Sequence, residues 1–151
     1  GGLLCTDNQQ HATTLSWLVS CSNIYYEESN QVVARIFLNQ MIQLRRMGIL
    51  KKEDIQRHDL VANLCYSSYF MPNRFRFFVD WDPASLLRTC SEEILPLHHA
   101  ARCNHTGYIP SIEGFQLTFE YGVLYYPNKM GINLLFKYNI YDDTPFQLVC
   151  N

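Results

Sequence analysis

Two stretches 49 residues apart share one pattern, and that recurrence constrains the fold more than any other feature of the chain. "LPLHHAARC" (95–103) and "TPFQLVC" (144–150) both place proline second, a large apolar residue third and small residues toward the end. Fainter echoes stand at "TTLSWLVSC" (13–21) and "HDLVANLCY" (58–66). The third positions are Leu15, Leu60, Leu97 and Phe146, at separations of 45, 37 and 49, irregular but within the range of repeat arrays. Proline at a first helical turn loses nothing, because that N–H has no partner inside the helix. Ala100 and Ala101 let a neighbouring helix come close. A helix pair of this size cannot bury both of its faces alone, so such units need neighbours.

The rest of the chain reads as short helices divided by turns. In "SNQVVARIFLNQMIQLRRMG" (29–48), Val33, Ile36, Phe37, Met41, Leu44 and Met47 recur at spacings of three and four and predict one apolar helical stripe. Ser29 or Asn30 is expected to cap its start, with Gly48 after its end and Arg45 and Arg46 in the last turn. Shorter helices are expected over 13–21, entered through threonine, and over 59–68, opened by Asp59. In "IEGFQLTFEYGV" (112–123), Phe115, Leu117, Phe119 and Tyr121 also alternate at period two, so a strand competes. Ser111 as cap, Glu113 in the first turn and Gly122 near the end favour a helix. "YFMPNR", "DWDP", "TGYIPS", "YYPNKMG" and "YNIYDDTP" carry turn chemistry.

On these residues the chain resembles the ankyrin repeat family, whose signature is a turn followed by T-P-L-H-x-A-A and, after two variable places, G-H. Pro96-Leu97-His98-His99-Ala100-Ala101 matches that run, Arg102-Cys103 fill the variable places and Asn104-His105 replace Gly-His. "LTFEYG" (117–122) resembles the end of the second helix, and Thr144-Pro145-Phe146-Gln147 the opening of the next unit. Leu95 departs from the family's threonine, and "TGYIPS" lengthens the link between helices. The resemblance implies an all-α, ankyrin-like solenoid of helix-turn-helix repeats, with approximate units at 3–48, 49–89, 90–138 and a truncated 139–151. It implies that His98 and His105 tie turns and neighbouring units through their ring nitrogens. If the family's variable positions carry over, the protein-binding surface comprises Gln9, Gln10, Ala12, Ser20 and Cys21 in the first unit. It continues with Ser91, Glu92, Ile94, Arg102 and Cys103 in the third and Tyr141 and Asp143 in the fourth.

Other chemistries fit the residues less well. His98, His99, Cys103 and His105, with Cys90 upstream, could form a zinc constellation, but adjacent histidines point to different sides of a helix and no C-x2-C or H-x3-H pair occurs. Cys103 with His99 or His105 could form a nucleophile pair, which would need a depressed thiol pKa that spacing does not reveal. A small helical enzyme or metal protein built on His98, His99 and Cys103 is thus the alternative to a scaffold. No G-x-S-x-G, H-E-x-x-H, phosphate loop or dinucleotide glycine pattern occurs. "NRFRFFVDWD" (73–82) mixes arginine with aromatics, but Asp80 and Asp82 cancel its charge, so a packed helix or loop is expected. "LRRMGILKK" (44–52) is basic at a helix C-terminus, where the dipole favours cations. Tyr25-Tyr26 and Tyr125-Tyr126 are either contact anchors or covers of the core edge.

A net charge of −2 gives no electrostatic case for nucleic acid or an anionic membrane, and no apolar run is long enough to span a bilayer. Six cysteines without a CxxC pair read as reduced, apolar fillers, which points to an intracellular location, cytoplasmic or nuclear. Asn104-His105-Thr106 matches a glycosylation acceptor, relevant only to a secreted chain. The start at Gly1 and the stop within a helix-like stretch suggest a fragment of a longer protein. The expectation is a non-catalytic protein–protein interaction scaffold, with no cofactor, no metal and a protein partner.

Overall fold

A computed structural model describes residue 15 and residues 27–67, 70–90, 93–102 and 112–150. Among them all regular structure is helical and no strand occurs, in line with the all-α expectation. The helix expected over 13–21 lies outside the described residues except for Leu15, which is fully buried in the main core.

Helix α1 spans Glu27–Arg46. It is already helical at Glu27, so Ser29 and Asn30 lie inside the helix and do not cap it. Phe37 and Met41 enter the core, and Leu38 and Leu44 pack against it. Ile36 and Met47, expected in the same stripe, are exposed. The buried stripe is narrow because α4 is the principal neighbour of α1 among the described elements; the Val33 side chain lies outside the description. Gly48 ends the helix at φ +68, a left-handed conformation that glycine takes without a Cβ penalty. The Ile49 and Leu50 amides then donate to the Leu44 carbonyl at 3.0 and 3.1 Å. Arg45, in the basic cluster, lies 4.3 Å from the Trp81 ring centroid, so this cation also packs.

Helix α2 is Lys52–Arg57 and α3 is Leu60–Tyr66. The Lys51 amide donates to the Asp54 carboxylate at 2.8 Å, which satisfies one of the orphan donors at the start of α2. Asp59 opens α3 without a side-chain cap bond; it adopts φ +47, and its carboxylate turns to Arg88 Nε at 3.4 Å. Helix α4, Pro72–Trp81, has proline at its start and buries Phe75, Phe78 and Val79, so the arginine-aromatic stretch is a packed helix. A 3₁₀ turn, Pro83–Leu86, comes next. Asp82 before it is fully buried, paired with Lys52 Nζ at 3.3 Å and accepting from Gln56 Nε2 at 2.7 Å. A buried carboxylate without partners would be strongly destabilising, and these two contacts offset that cost.

Helix α5 is Pro96–Ala101 and α6 is Ile112–Tyr125. The helical reading of 112–123 therefore holds over the strand. Gly114 allows α6 to approach the Phe70 ring, which a Cβ would meet at 2.9 Å. Helix α7 is Lys129–Asn133, a 3₁₀ turn covers Leu134–Phe136, and α8 is Pro145–Cys150. Helix α5 packs against both α3 and α8, while α6 lies against α5 and α4 against α3. Phe75, Phe78, Leu60 and Leu64 centre the main core. Full burial of a leucine or phenylalanine contributes roughly 1.5–3 kcal/mol, more than a helix of six or seven residues could supply through its own hydrogen bonds. Among the described residues no helix is long and apolar enough to cross a membrane.

Helix α7 folds back tightly on α6. A Cβ at Gly131 would meet the Tyr126 carbonyl oxygen and stand 2.8 Å from the Val123 Cα, both backbone atoms. Gly131→Ala is therefore expected to lower the free energy of unfolding by about 1–3 kcal/mol, seen as a lower urea midpoint. Around Gly48 there is open space, so Gly48→Ala should show only the left-handed backbone penalty of about 1 kcal/mol. Equal midpoints for wild type and Gly131→Ala would mean that α7 does not close on α6.

Candidate functional site

The histidine segment is held by main-chain chemistry. At the entrance of α5 the Leu95 amide donates to Nδ1 of His98 at 3.0 Å, which fixes the proton on the other ring nitrogen. Nε2 then donates to the Lys137 carbonyl at 2.9 Å and, more weakly, to the Asp143 carbonyl at 3.3 Å. The ring is fully buried. One imidazole thus closes its own turn and grips the segment that leads into α8. Both ring nitrogens of His98 are engaged by main-chain groups; His105 lies outside the described residues.

The turns before α5 and α8 share their hydrogen bonds. Ahead of α5, the Cys90 amide donates to the Ile94 carbonyl and the Glu93 amide to the Cys90 carbonyl, both at 3.1 Å. Forty-nine residues on, the Asn139 amide donates to the Asp143 carbonyl at 3.1 Å and the Asp142 amide to the Asn139 carbonyl at 3.2 Å. Glu93 and Asp142, at matching places, both have positive φ, 56° and 60°. The helix entrances match as well. Gln147 Oε1 accepts from the Thr144 amide at 2.9 Å, as His98 Nδ1 accepts from Leu95. Asn139 reinforces the second turn, its Oδ1 taking the Tyr141 and Asp143 amides at 2.9 and 3.0 Å.

Gln9, Gln10, Ala12, Ser20, Cys21, Ser91, Glu92 and Cys103 of the expected contact surface lie outside the described residues. Ile94 is only 3% exposed and offers its side chain to the core. Arg102 and Tyr141 are exposed, with the guanidinium carbon 6.0 Å from the ring centroid. Asp143 is half-buried, with its amide and carbonyl committed to the turn and to His98. Two residues join this group that sequence reasoning did not select as contacts. The Tyr66 and His99 rings meet edge to face at 5.5 Å, and the positive charge of Arg102 acts on His99. Tyr66, His99, Arg102 and Tyr141 thus form a row from α3 across α5 to the turn before α8. Nothing in the local sequence marks Tyr66, because its partner stands 33 positions away on another helix.

Among the described residues no group of three or more histidine, cysteine, aspartate or glutamate side chains is placed to share a metal ion. Both His98 nitrogens already have main-chain partners, and His99 turns instead to Tyr66. Cys65 is buried and donates toward Thr118 Oγ1 at 3.4 Å, while Thr118 donates to the Gly114 carbonyl at 2.7 Å. Burial pushes this thiol up to about 12, so Cys65 is held as an apolar filler. A groove of about 570 Å³ runs between Ala34–Leu38 of α1 and Met71–Arg74 at the start of α4. None of the expected contact residues lines it.

Comparison of the chain with protein-family models, curated proteins and solved structures gives no match.

Burial lowers the pKa of His98, and burial with the nearby Arg102 charge brings His99 down to about 4. Both rings are neutral when folded, whereas the unfolded chain takes up protons near pH 6.5. The unfolded state therefore binds more protons below that point, so stability is full above about pH 6.5 and falls as the pH drops toward 4. Urea unfolding at a series of pH values should show this loss, and His99→Gln should flatten it; an unchanged slope would mean that His99 is not buried neutral. Alkylation with peptide mapping should modify the exposed Cys150 and spare Cys65 in the native chain. Equal modification of the two would contradict the burial of Cys65.

Proposed function

We propose that the chain is a non-catalytic protein–protein interaction scaffold built of degenerate, ankyrin-like helix-turn-helix repeats. The observation that carries this reading is the pair of matching turn-and-helix units at 90–101 and 139–150, which share hydrogen bonds and a positive φ at the same place. His98 links them through the Lys137 and Asp143 carbonyls. The successive packing of α3, α5 and α8, with α4 and α6 as second helices of their pairs, supports the same reading. A histidine engaged on both nitrogens by the main chain serves the architecture, which favours a holding role over a chemical one.

The row Tyr66, His99, Arg102 and Tyr141 is the contact surface in this reading. Tyrosine and arginine carry much of the energy at protein interfaces, because each joins a large packed area to a polar end. The row crosses two repeats and the turn of a third, so the spacing between units sets the spacing of contacts on a partner. The location expected for such a scaffold remains cytoplasmic or nuclear, on the strength of its cysteine usage.

The test places a photo-crosslinking residue at Tyr141, or at the exposed Arg76 on α4 as a reference. Discrete protein adducts are expected from position 141 and not from 76, and Arg102→Ala should weaken them. Adducts of equal yield from both positions would sink the assignment. His98→Ala should also destabilise the fold by about 2–4 kcal/mol, because it removes a buried side chain and leaves the carbonyls it served without their donor. A melting temperature equal to wild type would remove the basis of the repeat reading.

A further inference from the structure

Helix α1 ends in a turn that the main chain holds in place and that leaves two large apolar side chains in water. The Met47 amide donates to the Gln43 carbonyl at 2.9 Å and the Gly48 amide to the Arg45 carbonyl at 3.0 Å. The Ile49 and Leu50 amides share the Leu44 carbonyl, and the Leu50 side chain is buried in the main core. The turn is tied at both ends, yet Met47 is 61% exposed and Ile49 54%. A Cβ on Gly48 between them would meet no atom within 4 Å, so the outer side of the turn is open there.

Cations flank this apolar pair on both sides. Arg45 and Arg46 precede it and Lys51 and Lys52 follow it, all four exposed. Asp54 is buried and accepts the Lys51 amide, so Glu53 is the one exposed carboxylate between 45 and 54. Lys52 shares its charge with buried Asp82 at 3.3 Å, and Arg45 lies on the Trp81 ring. Among the described residues Arg46 and Lys51 pair with no carboxylate. The net charge of −2 is a sum over the whole chain. Exposed charges are screened over about 8 Å at physiological ionic strength, so the turn meets a partner as a cationic surface whatever the rest of the chain carries.

From this we infer that the turn at 45–52 is a membrane-surface contact whose occupant is an anionic lipid bilayer. Met47 and Ile49 seat below the phosphates, and the arginines and lysines stay at their level. A bilayer is a layered partner of matching order, with negative charge at its surface and hydrocarbon just beneath. Long basic side chains keep their charged ends at the phosphates while their stems lie along apolar matter. RNA or an acidic polypeptide offers the charge but no hydrocarbon layer for two aliphatic side chains. A stable protein interface takes roughly 800 Å² from each partner, which a turn of this length does not offer. The hydrogen bonds of the turn hold the pair in place before contact, so binding requires little ordering. The inference stands apart from the repeat reading and uses none of the row from Tyr66 to Tyr141.

The test sediments the intact chain with vesicles of two compositions, phosphatidylcholine alone and phosphatidylcholine with about one-third phosphatidylserine. Binding is expected to the second kind and not to the first. It should fall as salt rises from about 0.1 M to about 1 M, where the screening length shrinks to about 3 Å. Arg46→Gln with Lys51→Gln should weaken binding by more than about tenfold, since each cation near such a surface contributes about a fivefold factor. Met47→Ser with Ile49→Ser should weaken it by roughly tenfold, because the apolar area that leaves water is then lost. Arg76→Gln with Lys129→Gln removes as much charge from exposed positions elsewhere and should leave binding unchanged. Circular dichroism checks that each variant is folded. Sedimentation with neither composition, equal sedimentation with both, or full binding by the double serine variant would overturn the membrane contact. Equal losses from the two charge pairs would overturn it as well, by reducing it to attraction by net charge. Mixed-sequence RNA or polyglutamate bound as tightly as the vesicles, with the same dependence on Met47 and Ile49, would assign the turn to another class of partner.

Discussion

The imidazole of His98 is the point on which the second half of the structure depends. Helices of six residues such as α5 and α8 lie far below the length at which an isolated helix persists in water. They exist because tertiary contacts fix their ends, and His98 fixes three main-chain groups with two nitrogens. A lysine or arginine could not do this: each is donor-only and could not take the Leu95 amide. Neutral histidine offers one acceptor and one donor across a rigid ring, which is the combination required at this junction. Its burial also keeps it neutral, so the tie and the protonation state sustain each other.

Around that junction the fold joins two kinds of packing. The main core, from α1 to α4 with Ala100 and Leu117, is aromatic and dense, with Phe75 against Tyr121 and Phe70 and the rings of Phe77, Phe78 and Trp81 in contact. The smaller cluster of Leu95, Leu97 and Leu134 binds α5 to the 3₁₀ turn after α7. Two polar groups buried at the seams have partners there: Asp82 is paired with Lys52 and accepts from Gln56, and Asn139 accepts from two amides of its own turn. The surface row from Tyr66 to Tyr141 is a consequence of this stacking, since its members belong to separate elements that meet only when α3, α5 and the last turn are aligned.

The sequence by itself determined the type and approximate limits of α1 and α6, because spacings of three and four and an acidic first turn act within a few residues, whereas 73–82 was open between helix and loop until its packing against α1 and α3 made it α4. It also determined that residues 95–98 and 144–147 behave alike, since a side chain three residues into a helix closes its own entrance whatever surrounds it. Tertiary structure decided the rest. Ile36 and Met47 share the periodicity of Phe37 and Met41, yet stay in water, because exposure depends on how much of α1 a neighbour covers. Asp59 has the composition of a cap and serves instead in a left-handed bend paired with Arg88. Ile94 and Arg102 both fell on the expected contact surface, and only the path of the turn withdrew one and exposed the other. Tyr66 and His99 became neighbours through the packing of α3 on α5, a relation 33 residues long that no local pattern encodes. Hydrogen bonds within a turn are written in the order of residues; burial is a property of the segments that arrive from elsewhere in the chain.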